Sequence, residues 1–181
     1  MEMRTAEHWL NPVKAGGMAA YFVALVSCGA ASVWAVSQRI SRLAAFLAIL
    51  HAALFLDIAF DWRWSLYGWL KGGAIEHHWY DQRHWPQVAM LGILVVLLFS
   101  GIIFAWRRFR ASAGVALAFS GALLSIACWA TEIISLHGMD AILYYRVGPL
   151  MVISFVWMSA CLITTFGILR AAKYGLKEAY T

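Results

Sequence analysis

Five apolar runs dominate this chain, and each is long enough to cross a bilayer. They fall at about residues 15–36, 43–60, 87–106, 112–136 and 147–169. A hydrocarbon core about 30 Å thick needs roughly 20 apolar residues in helical form. Backbone polar groups find no water there, and an isolated strand cannot satisfy its own, so the runs read as helices. The fold expected is all-α: a polytopic membrane bundle of five transmembrane helices in a single domain. An aromatic, outward-facing interfacial segment joins the second and third spans.

Composition agrees with that assignment. Of 181 residues, 63% are hydrophobic and 13% are charged, against about a quarter charged in a soluble domain. Mean hydropathy is +0.72. The formal net charge of +5 does not indicate nucleic acid, because most of the bases lie in the connections, and cytoplasmic loops collect Lys and Arg. The partners expected are the lipid bilayer and other membrane subunits or further copies of the chain. Cys28, Cys128 and Cys161 lie within apolar runs without metal-type spacing, so they read as small buried side chains. The segment Met1 to Lys14 is polar and holds Glu2 and Glu7. The run that follows it exceeds the core of a cleavable signal, which is about 7–15 residues. It reads as a retained first helix.

Counting bases sets the orientation. With five spans, one side receives Arg39, Arg42, Arg107, Arg108, Arg110, Arg170, Lys173 and Lys177 in short segments, with Glu178 against them. The other side receives Arg4, Lys14, Arg63, Lys71, Arg83 and Arg146 in longer ones. Cytoplasmic loops collect Lys and Arg, so the expected location is a bacterial inner membrane, N-terminus outside and C-terminus cytoplasmic. The acids then gather outside. Asp61, Glu76, Asp81 and Asp140 lie in the outer connections, and Asp57 and Glu132 near the outer ends of spans two and four.

The longest connection, Asp61 to Trp85, contains Trp62, Trp64, Tyr67, Trp69, Trp79, Tyr80 and Trp85. Such aromatics collect at the membrane–water boundary. The reading is one or two interfacial helices broken at Gly72-Gly73. Pro86 suits the first turn of span three, whose single interior polar residue, Ser100, leaves it to face lipid. Gly138 is read as the stop after span four. In span one, Ser27 to Ser32 form a narrow waist suited to close helix packing.

Four groups of residues carry candidate chemistry. His77, Asp81 and His84 fall at i, i+4 and i+7, one face if the segment is helical, and two imidazoles with a carboxylate suit a transition metal. Asp57 and Glu132 are ionisable groups inside the membrane, where charge is costly and function is the default reading. They are candidates for a proton or cation pathway, or for structural ion pairs with Arg63, Arg83 or Arg146. His51 stands alone in mid-span two, either as a hydrogen-bonded packing residue or as an axial ligand to a haem or chlorophyll-type pigment. The segment Ser135 to Asp140, with Tyr144, Tyr145 and Arg146, is a capped turn that can help to wall an outward-facing pocket. There is no glycine-rich phosphate loop, H-E-x-x-H, G-x-S-x-G or CxxC.

Three functional classes remain. The first is a non-catalytic subunit or partner-binding component of a larger membrane complex, which demands least of the sequence. The second is a metal-dependent membrane enzyme built on His77, Asp81 and His84. The third is an oligomeric proton or cation pathway through Asp57 and Glu132.

Overall fold

The computed structural model describes residues 11–78, 80–110 and 112–174, apart from the side chain of Asp81. The polar start of the chain, Trp79, Ala111 and the tail carrying Lys177 and Glu178 lie outside the described residues. Among the described residues, five helices are long and apolar enough to cross a membrane: α1 (Pro12–Trp34), α2 (Gln38–Phe60), α4 (His84–Arg108), α5 (Ala113–Ile134) and α7 (Val152–Tyr174). Two shorter helices lie between them, α3 (Trp62–Glu76) and α6 (His137–Leu143). A 3₁₀ turn spans Tyr80–Gln82, and a two-stranded hairpin pairs β1 (Arg146–Val147) with β2 (Leu150–Met151). The protein is an all-α bundle of apolar helices.

Local chemistry sets the helix ends. Asn11 caps α1, its side chain accepting from Val13 N–H at 3.0 Å, and Pro12 fills the first helical position, where a missing N–H costs nothing. Arg39 and Arg42 lie within α2 and not in a link before it; long basic side chains reach outward from a helix end while their backbone stays helical. The fifth span starts at Val152, later than the apolar run suggests, because Arg146 to Met151 forms the hairpin. Its two-residue loop is Gly148-Pro149, and Gly148 has φ +66°. A hairpin turn with positive φ at its first loop residue favours glycine there.

Two breaks fall elsewhere than the glycines indicate. Helix α3 runs unbroken through Gly72 and Gly73 and ends at Glu76. The chain turns afterwards, at His77 and His78, with His78 in the left-handed region at φ 58°. Each glycine costs a helix about 1 kcal/mol, and the ion pairs at the start of α3 with burial of Ala74 act against that cost. Likewise α5 ends at Ile134, with Ser135 left-handed at φ 47° and its hydroxyl donating to Asp140 at 2.7 Å. Gly138 lies inside α6.

The spans pack in series: α2 on α1, α1 on α7, α7 on α5, and α5 on α4. The tightest seam joins α5 to α7. A Cβ on Gly121 would meet Ala160 O at 2.6 Å, and one on Gly167 would meet the backbone of Ala118. Small residues bring two backbones together in lipid, where packing replaces the hydrophobic effect as the driving force. In the waist of α1 Cys28 and Ala31 are fully buried, as is Ala24 one turn earlier. By contrast α4 has one buried residue, Ala105, and exposes Ile93, Val96, Phe99 and Phe104. A helix that is apolar around most of its circumference faces lipid or another chain.

Candidate functional site

The small-residue seam delivers two side chains to one end of the bundle. Helices α5 and α7 run antiparallel, so the end of α5 faces the beginning of α7. Glu132 and Trp157 meet there, and the indole Nε1–H donates to Glu132 Oε1 at 3.3 Å. Room for the indole comes from α1: a Cβ on Gly17 would lie 2.6 Å from the Trp157 ring and 2.8 Å from Ile58.

Helix α2 brings Asp57 to the same end. The chain then reverses through Asp61, which is left-handed (φ 57°, ψ 33°) and both ends α2 and precedes α3. Short polar side chains tolerate that conformation better than most. The reversal places Arg63, the second residue of α3, beneath the helix start. Asp57 Oδ1 accepts from the Arg63 backbone N–H at 2.9 Å, capping α3 from six residues upstream in place of the usual flanking residue. Asp57 Oδ2 pairs with Arg63 Nε at 2.8 Å. The Arg63 Nη1 group reaches Glu132 Oε1 and Oε2, each at 2.6 Å. The guanidinium also lies over the Trp157 ring at 5.3 Å.

Arg63 therefore bridges α2 and α5. All three charged residues are buried, with Arg63, Asp57 and Glu132 exposed by 6%, 5% and 4%. Burial works against the charge on Arg63, but Glu132 and then Asp57 outweigh it and raise the guanidinium further above its ordinary value. Lys14 at the start of α1 adds a third ion pair, its Nζ 2.8 Å from Asp61 Oδ2.

Two cavities flank this bridge. One, of about 560 Å³, is lined by Asn11, Lys14, Arg63, Trp64, Glu132, Tyr144 and Trp157. Trp64 and Tyr144 approach each other at its wall, ring centroids 6.3 Å apart. The Tyr144 hydroxyl is buried without a hydrogen-bond partner among the described residues. Burial raises the Tyr144 phenol pKa and the Glu132 and Asp140 carboxylates add to it, so the group stays a donor. The other cavity, about 460 Å³ and nearly all apolar, lies between α2 and α5 under Trp62 and Leu66 of α3.

The remaining candidate residues are placed separately. His51 is fully buried; Nδ1 lies 2.8 Å from Leu47 O, and the ring is 6.0 Å from that of Tyr21. Its Nε2 has no partner among the described residues. His77 follows the end of α3 and His84 begins α4, so the single helical face that would have aligned them with Asp81 does not form. The Asp81 side chain itself lies outside the described residues. No group of three or more His, Cys, Asp or Glu suited to a metal occurs among the described residues. Arg83 lies 3.6 Å over the Tyr80 ring, and Arg146 is exposed on β1.

No protein-family model, curated protein or solved structure matches the chain.

Sequence reasoning missed Lys14 and Trp157 as members of this site. Lys14 reads as one more base before the first span. For Trp157 a signal was present: an indole N–H inside an apolar run needs an acceptor when buried, and Asp57 and Glu132 are acids near the same end of two other spans.

Proposed function

We propose that the protein is a non-catalytic binding component of a membrane assembly, seated in a bacterial inner membrane with the Arg63 end outside. One observation carries this reading. Arg63 holds both intramembrane carboxylates at 2.6–2.8 Å, yet an open cavity of about 560 Å³ stands beside it. Carboxylates committed to a buried guanidinium are poor proton carriers and poor cation ligands. They are well suited to fixing two helices at a set spacing, and that spacing keeps the cavity open.

The Tyr144 side chain helps to wall the cavity, with its hydroxyl enclosed and without a hydrogen-bond partner among the described residues. Trp64 and Trp157 supply aromatic walls, of the kind enriched at binding surfaces. The bare face of α4 supports the assembly part of the reading, and the base count supports the orientation.

The test is the size of the native particle. Extracted in mild detergent, the wild-type chain should run in a particle larger than one 181-residue chain. Met151→Trp, which fills the cavity from β2, should release it as a folded single chain. A wild-type protein that extracts as a stable monomer would overturn the proposal, as would an unchanged particle in Met151→Trp.

A further inference from the structure

A second polar site lies at the same end of the bundle, between α3, the 3₁₀ turn and the junction of α4 with α5. Lys71 Nζ lies 5.7 Å and the Arg83 guanidinium 3.6 Å from the centroid of the Tyr80 ring. Neither cation has a carboxylate partner among the described residues. Glu76, in the last turn of α3, is exposed and makes no ion pair with either. Both cations line a cavity of about 190 Å³ whose other walls are mostly apolar, among them Leu70, Ala74, Pro86, Met90 and Ile133. Arg83 and Tyr80 also border a more polar space of about 370 Å³ with His84 and His137.

We infer that this is a binding site for an anionic membrane phospholipid. Its headgroup phosphate would lie between Lys71 and Arg83, and an acyl chain would descend along Met90 and Ile133. Three features argue for a lipid over a free phosphate. Two cations converge on one ring without a carboxylate partner among the described residues, and Lys and Arg bind phosphate oxygens through charge-assisted hydrogen bonds. The wall continues from the cations onto apolar residues of two membrane spans, so the site is amphipathic along its length. The neighbouring aromatics Tyr67, Tyr80 and Trp85 are the residue types that mark headgroup depth. Gln87 holds the site's frame, its Nε2 donating to Ile134 O at 2.8 Å and Ser135 O at 3.1 Å, which ties the start of α4 to the end of α5.

This inference is independent of the Arg63 cavity and stands or falls alone. The experiment is native mass spectrometry of the full chain, released from micelles with equal amounts of phosphatidylglycerol and phosphatidylcholine. The wild-type chain should retain phosphatidylglycerol in preference to phosphatidylcholine by about tenfold. Lys71→Gln with Arg83→Gln should bring that ratio near one, and Arg83→Lys should keep most of it. Met90→Trp, which fills the chain slot and leaves both cations, should reduce retention of either lipid. Equal retention of the two lipids by wild type would overturn the inference. So would an unchanged preference in the double glutamine variant, or displacement of the lipid by millimolar glycerol phosphate, which carries the anion without the chain.

Discussion

Replacing Arg63 by Met removes the charge that holds Asp57 and Glu132 while roughly conserving side-chain length. The side chains of Arg63, Asp57 and Glu132 are exposed by only 6%, 7% and 3%, so solvent screens them little. Removing one member of a buried ion network leaves uncompensated charge and costs about 3–5 kcal/mol. Glu132→Gln alone should cost less, about 1.5–3 kcal/mol, the range for a hydrogen bond to a charged group. In the Arg63→Met background the same Glu132→Gln change removes one of two unpaired carboxylates, so there it should stabilise. The sign of one substitution thus reverses with the residue at position 63. Reversible unfolding in mixed micelles, followed by fluorescence of the ten tryptophans, reads all four members of the cycle. An Arg63→Met protein within about 1 kcal/mol of wild type, or Glu132→Gln with the same sign in both backgrounds, would refute the bridge.

Further expectations concern the supports of the site. Gly17→Leu forces a side chain into the Trp157 ring, where even a Cβ would sit at 2.6 Å; overpacking of this kind costs about 1–3 kcal/mol, measurable by the same unfolding assay, and a neutral outcome would show that Trp157 does not rest on α1. Cys28, Cys128 and Cys161 are free and buried, so a membrane-permeant maleimide should label the folded protein far more slowly than the unfolded one, and rapid labelling of any of the three would contradict its placement. The exposed pair His77 and His84 should tolerate alanine within about 0.5 kcal/mol, as surface positions do, with metal content unchanged in untagged protein. Stoichiometric transition metal lost in that double variant would instead favour the metal-enzyme reading.

The spans were legible because lipid imposes a length and a composition that few other constraints share. Their ends were less so. The hairpin at Gly148-Pro149 is a local backbone preference inside a stretch whose hydropathy continues into α7, so hydropathy alone overruns it. The glycines at 72 and 73 signal a break that the anchoring of α3 overrides. The site was legible in its parts and not in its assembly. Asp57 and Glu132 stood out by depth, and Arg63 was one of three arginines able to reach them. Choosing among the three depends on the left-handed reversal at Asp61, which turns the start of α3 back over α2. That reversal is tertiary information, as is the antiparallel seam that sets Trp157 beside Glu132. The reading of Gly121 and Gly167 as the closest helix contact was likewise out of reach, because a small residue in a span marks close packing without naming its partner.

The central claim is that Asp57, Arg63 and Glu132 form a fixed bridge and not a pathway for protons or cations. Proton flux into liposomes holding the purified protein, driven by an imposed pH gradient and potential, tests it most directly. The account predicts flux equal to that of protein-free liposomes, for wild type and for Glu132→Gln alike, while the variant unfolds more easily. A wild-type flux well above that background, abolished by Glu132→Gln in protein that remains folded, would contradict it.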